Sequence, residues 1–155
     1  MKRITSAQNG ILRKLAMTNQ ELGTLLNTLL EAERAGARLL AVYLAQLPRG
    51  SALHAALADV QRDEAHNCAV LIGCLGEIGI EASRATGAFL EKGMAIDDWQ
   101  KRLSFLNRGQ DWVARRLAEA LPDIADPEVR SVLEDMHASH LANIARCEAL
   151  PPGVA

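Results

Sequence analysis

A chain of 155 residues fits one domain, and a net charge of -2 gives no electrostatic footing for nucleic acid or an anionic membrane as partner. Hydrophobic residues make up 49% and aromatics 3%, and the apolar content is mostly Leu and Ala, so an all-α protein is expected and a sheet is not. No apolar run approaches the roughly 18 to 20 residues of a bilayer span, and Arg13, Lys14 and Asn19 interrupt any signal-peptide core. The expected compartment is cytoplasmic.

The partners this composition suits are small ligands, ions or further copies of the chain. Cys68, Cys74 and Cys147 are an odd number without CxxC spacing and read as core thiols.

Residues 1–17 form a basic arm, with Lys2, Arg3, Arg13 and Lys14 and no acid. Thr18 followed by Glu21 has the form of a capping box, so the first helix is predicted from Asn19 to Gln46, where Pro48 and Gly50 break it. Its stripe of Leu22, Leu26, Leu29, Leu40, Tyr43 and Leu47 carries Glu33 near its centre. An unpaired carboxylate buried there costs several kcal/mol, so it needs a proton, a partner or a metal. Glu31, Asn27, Arg34 and Arg38 fall on the far side and read as a solvated face.

Ser51 caps a second predicted helix, Ala52 to Glu77. Leu53, Leu57, Val60, Leu71 and Leu75 form its stripe, with Glu64 in the middle and Asn67 at the edge, while Asp63 and His66 point away. Residues 79–96 are too many for a tight turn. They are expected to cross the length of the molecule, with a short helix around Phe89, so that the second and third long helices run parallel.

The third long helix is predicted from an Asp97 cap to Leu121, with Gln110 near the centre of its stripe and Phe105 and Trp112 on another side. That second patch needs cover from the crossover, the arm or a partner subunit, and a homodimer is the expected assembly. Gly109 suggests close approach by another backbone. Asp126-Pro127 opens the last helix, which runs to about Leu150 and carries His140 and Asn143 on its stripe, His137 at the margin and Glu134 outside. Residues 151–155 form a tail.

Each long helix thus offers a polar side chain on an apolar face. Folding at the two short turns sets Glu33 opposite roughly residue 66, and Gln110 opposite roughly residue 139. One polar layer at mid-height follows.

The run Leu29-Leu-Glu-Ala-Glu-Arg-Ala-Gly-Ala37, with Arg62-Asp-Glu-Ala65 and Leu106-Asn-Arg-Gly-Gln110, resembles an uncharacterised bacterial branch of the ferritin-like superfamily, over about residues 18–150. The resemblance implies a ferritin-like four-helix bundle with one long crossover between its second and third helices. In that superfamily a Glu from each of two helices and a Glu-x-x-His from each of the others hold two irons. Glu33 and Glu64 match the two first carboxylates. Asn67 stands in a His slot, Gln110 in a Glu slot, His140 in the other His slot and His137 in its Glu slot.

The implied site is therefore one divalent ion, iron, manganese or zinc, held by Glu33, Glu64 and His140 with Asn67, Gln110 or His137 beside it. The implied activity is an oxidoreductase acting on dioxygen, peroxide or another small substrate. The alternative is a non-catalytic bundle whose metal-free polar layer fixes helix register. A site on the outward Asp63, His66, Glu134 and His137 is the remaining possibility.

Overall fold

The computed structural model describes residues 16–153, which leaves nearly all of the basic arm and the end of the tail outside the described residues. All regular structure within them is helical: α1 Asn19–Leu44, α2 Ala52–Glu77, α3 Phe89–Met94, α4 Trp99–Ala120 and α5 Pro127–Glu148, with a 3-10 turn at Leu121–Asp123. None of these helices is long and apolar enough to cross a membrane.

The predicted caps set the boundaries. Thr18 accepts from the Glu21 backbone N–H, and its hydroxyl donates to the Glu21 carboxylate, so the capping box closes through side chains. Ser51 accepts from His54 N–H, and Asp126 accepts from both Glu128 and Val129 ahead of Pro127. The third cap is Asp98, one residue later than expected, because its side chain and not that of Asp97 reaches the Lys101 N–H.

α1 packs on α2 and α4, and α5 packs on α2 and α4. Burial of the helix stripes produces two apolar clusters. One gathers Leu22, Leu26, Leu30, Leu71, Leu75, Leu117, Ile124 and Leu133. The other gathers Leu39, Leu40, Tyr43, Leu53, Leu57, Val60, Leu106 and Cys147. The gap between them contains Glu33, Glu64, Gln110 and His140, so the polar residues separate two cores.

The connection after α2 crosses the molecule along α1. Gly79 turns the chain at φ +72°, a conformation that favours glycine. Asn27 then donates to the Glu81 carbonyl at 3.0 Å and accepts from Ser83 N–H at 2.7 Å. Ser83 donates to the Glu31 carboxylate at 2.6 Å, and Arg34 donates to the Ala85 carbonyl at 2.9 Å. The α1 face read from sequence as solvated is instead the clamp for the crossover.

The far end is pinned as firmly. The Tyr43 hydroxyl donates to the Gly93 carbonyl at 2.7 Å, and buried Arg102 donates to the Ile96 carbonyl and to Gln46. The Arg102 guanidinium also lies 4.6 Å from the ring centroids of both Tyr43 and Trp99. α4 therefore begins at the end where α1 finishes and α2 starts, and it runs parallel to α2.

Phe89 on α3 stacks on Phe105 at 4.4 Å between centroids, so the crossover covers that half of the second aromatic patch. Trp112 remains 44% exposed. Gly109 does admit a close neighbour, but the neighbour is the Phe89 ring, 2.8 Å from where a Cβ would stand, and not a backbone.

Candidate functional site in the buried polar layer

Glu33, Glu64, Asn67, Gln110, His140 and Asn143 are all buried. The side chains meet across the molecule, between helices that are not packing neighbours. Glu33 on α1 approaches His140 on α5, with Oε1 2.6 Å from Nε2. Gln110 on α4 donates from Nε2 to Glu64 Oε1 on α2. The two contacts tie all four long helices together at one height.

The local sequence sets each orientation. His140 Nδ1 lies 2.8 Å from the Met136 carbonyl one turn back, which assigns the proton to Nδ1 and turns Nε2 inward. Gly36, one turn after Glu33, makes room for Glu64: a Cβ at Gly36 would lie 2.7 Å from the Glu64 carboxyl carbon. Asn143 accepts from Arg146 on the same helix at 2.9 Å, which leaves its amide nitrogen facing inward.

Acceptors outnumber donors. Glu33 Oε2, Glu64 Oε2 and Gln110 Oε1 are buried without a hydrogen bond, against the unpaired donors Asn67 Nδ2 and Asn143 Nδ2, while Glu33 Oε1 and His140 Nε2 have only each other. Such a surplus of lone pairs away from water calls for protons or a cation. Burial, followed by the charge of Glu33, holds the Glu64 carboxyl well above its ordinary value of 4.5. For His140 burial pulls the pKa down, but the hydrogen bond and charge of Glu33 outweigh it and leave the imidazole above its ordinary 6.5.

Two openings reach the layer. On one side Thr28, Ala32, Gly36, Phe89, Phe105, Trp112 and Val113 line a cavity of about 500 Å³ whose walls include Glu64 and Gln110. On the other, a smaller cleft of about 260 Å³ between α2 and α5 is lined by Asp63, His66, Asn67, Asp135 and Ser139. The larger cavity was not legible in the sequence. Its only signal was the pair of small residues Gly36 and Gly109 on helices that face each other.

Six residues were expected at the site. Glu33, Glu64, Asn67, Gln110 and His140 lie in the layer, whereas His137 is only half-buried and makes no hydrogen bond or ion pair among the described residues. One turn on from Leu133, the inward position of α5 is taken by Met136, which leaves His137 at the rim. The outward alternative is dispersed: Asp63 and His66 line the smaller cleft, while Glu134 is exposed elsewhere on α5. Among the described residues, no three His, Cys, Asp or Glu side chains already surround a common point as a metal-holding group.

An all-helical protein with a buried acidic layer is the class these observations define. The chain belongs to the DUF6306 family, a domain of unknown function, whose profile spans residues 20–149. No curated protein and no solved structure matches it.

Proposed function

We propose that the chain is a ferritin-like four-helix bundle whose polar layer takes one divalent cation, with Glu33, Glu64 and His140 as ligands and Gln110 Oε1 or Asn67 beside them. The observation that carries this reading is the set of buried oxygens without a hydrogen bond, Glu33 Oε2, Glu64 Oε2 and Gln110 Oε1, on two carboxylates and an amide. The His140 tautomer agrees with it, since an Nδ1–H bonded to a backbone carbonyl is the arrangement that presents Nε2 to a metal.

When bound, an ion of iron or manganese would supply redox chemistry on dioxygen or peroxide, and zinc would supply Lewis acidity. The protein's own contribution is to hold the ligands apart from solvent, to keep the His140 tautomer through Met136, and to admit small molecules through the larger cavity.

A second reading is favoured by the direct Glu33–His140 approach of 2.6 Å, in which a protonated Nε2 donates to the carboxylate and keeps no lone pair for a metal. In it the layer is metal-free, Glu64 and His140 hold protons, and the network fixes helix register in a non-catalytic bundle.

Titration of chelator-treated protein with Co2+, Zn2+, Mn2+ and anaerobic Fe2+ separates the two. The cation reading expects one ion per chain, lost in Glu33→Gln/Glu64→Gln while the circular dichroism spectrum is retained. A folded wild-type chain that binds none of the four, or binds them equally well after the double substitution, supports the metal-free layer instead.

A further inference from the structure

The larger cavity adjoins a second pocket of different chemistry along α4. Its own wall is apolar and partly aromatic, from Ala32, Phe89, Phe105, Leu106, Trp112 and Val113, and its volume of about 500 Å³ is within the range of small-molecule sites. Glu64 and Gln110 complete the wall, but Glu64 Oε2 and Gln110 Oε1 are buried and Glu64 Oε1 takes the Gln110 amide, so these atoms do not serve a ligand. The adjoining pocket, of about 430 Å³, is lined by Ile96, Gln100, Lys101, Ser104 and Arg108 and contains no acid.

Arg108 belongs to both walls. Arg108 and Lys101 are exposed, and neither side chain makes an ion pair among the described residues. The acids nearby are engaged elsewhere: Glu31, on the α1 side of the cavity, accepts from the Ser83 hydroxyl at 2.6 Å, and Asp111 pairs with Arg115 at 2.8 Å.

We infer that the two pockets together bind one amphipathic monocarboxylate, an apolar body with a single anionic head. The body would lie against the rings and aliphatic walls, where apolar surface leaves water on both partners. The carboxylate would meet the forked donors of Arg108, with Lys101 and Ser104 beside it. Lys101, Ser104, Arg108 and Trp112 follow one another along one side of α4, and Ser104 to Trp112 spans about 12 Å, so one short molecule reaches from the cations to the rings. A cationic head would meet two like charges there, and an uncharged one would gain nothing from them.

Neither pocket needs an ion in the polar layer, so this inference goes beyond the cation reading without resting on it. It is tested in excess EDTA.

The probe is octanoate, compared with 1-octanol and octylammonium. Binding is followed in 1H–15N correlation spectra by the amide signals of Gly36, Gly87 and Gly109, the indole signal of Trp112 and the side-chain Nε–H of Arg108. Saturable shifts at these groups are expected with octanoate, with octylammonium at least about fivefold weaker. Arg108→Gln is expected to weaken octanoate about fivefold and to leave 1-octanol within about twofold. No saturable shift with octanoate overturns the proposal, and so does an octanoate affinity that Arg108→Gln leaves unchanged. If that variant does not fold, the wild-type chain in rising NaCl replaces it: octanoate binding should weaken while 1-octanol binding does not, and a parallel response overturns the head-group assignment.

Location is checked with Ala32→Phe, which fills the apolar pocket from α1. Thr28→Trp, at the same wall, serves if the first variant does not fold. Either substitution is expected to abolish the octanoate shifts, and unchanged binding in a folded variant places the body elsewhere and overturns the assignment. Shifts at the same groups that grow with protein concentration in the absence of octanoate would mark the pockets as a contact between copies, which also overturns it.

Discussion

At the scale of single residues the layer depends on a missing methyl group as much as on its charged groups. Gly36 leaves the space into which the Glu64 carboxylate leans. Gly36→Ala is expected to destabilise the fold by about 1–3 kcal/mol through crowding, despite the better helix propensity of alanine. Urea unfolding of the single variant and of Gly36→Ala/Glu64→Ala checks the cause, because most of the crowding cost should vanish once the carboxylate is gone.

Titration gives a second test at this scale. Glu64 holds its proton in the folded chain at pH values where the unfolded chain has released it, so unfolding free energy falls as pH rises from about 4.5 toward the folded pKa. His140 acts in the same direction from about 6.5 upward, its folded pKa also being raised. Stability measured from pH 5 to pH 8 is expected to decline, and Glu64→Gln to flatten that decline. A slope unchanged by the substitution would remove Glu64 as its source.

At the scale of elements, the crossover is held at both ends by side chains of helices it does not belong to. Arg102 is the costliest to lose: it is 6% exposed, donates to Ile96 and Gln46, and rests on two aromatic rings. Arg102→Ala is expected to cost about 2–4 kcal/mol, the loss of hydrogen bonds to a charged group plus its packing. Arg102→Lys should recover little of it, since an ammonium cannot reach two acceptors while lying flat on two rings. Thermal unfolding of the two variants makes the comparison. Asp126→Ala, which removes the cap of α5, should cost about 1 kcal/mol in the same assay.

At the scale of the whole molecule, the layer interrupts what would otherwise be one continuous core. Replacing Glu33, Glu64, Gln110 and His140 together with Leu would join the two apolar clusters. Buried polar networks exchanged for apolar residues often leave a protein neutral or about 1–4 kcal/mol more stable. A gain in urea midpoint is the expected outcome, and it would show that the layer is held at the expense of stability. A large loss of stability would mean that the layer holds the fold together.

Much of this was legible in the chain before folding. Helix boundaries follow from Thr18, Ser51 and Asp126-Pro127, because caps satisfy backbone groups only a few residues away. The buried positions of Glu33, Glu64, Gln110 and His140 follow from the 3.6-residue period, because one stripe of each helix must leave water. What could not be read locally is which partner each polar group meets. The clamp of Asn27, Glu31 and Arg34 on the crossover spans more than fifty residues of sequence, so the face looked solvated. His137, at the margin of the α5 stripe in the sequence, is half-buried in the structure. The diagonal pairing of Glu33 with His140 and Glu64 with Gln110, and the cavity that opens beside Gly36 and Gly109, exist only once the helices pack together, since both are properties of the space between elements.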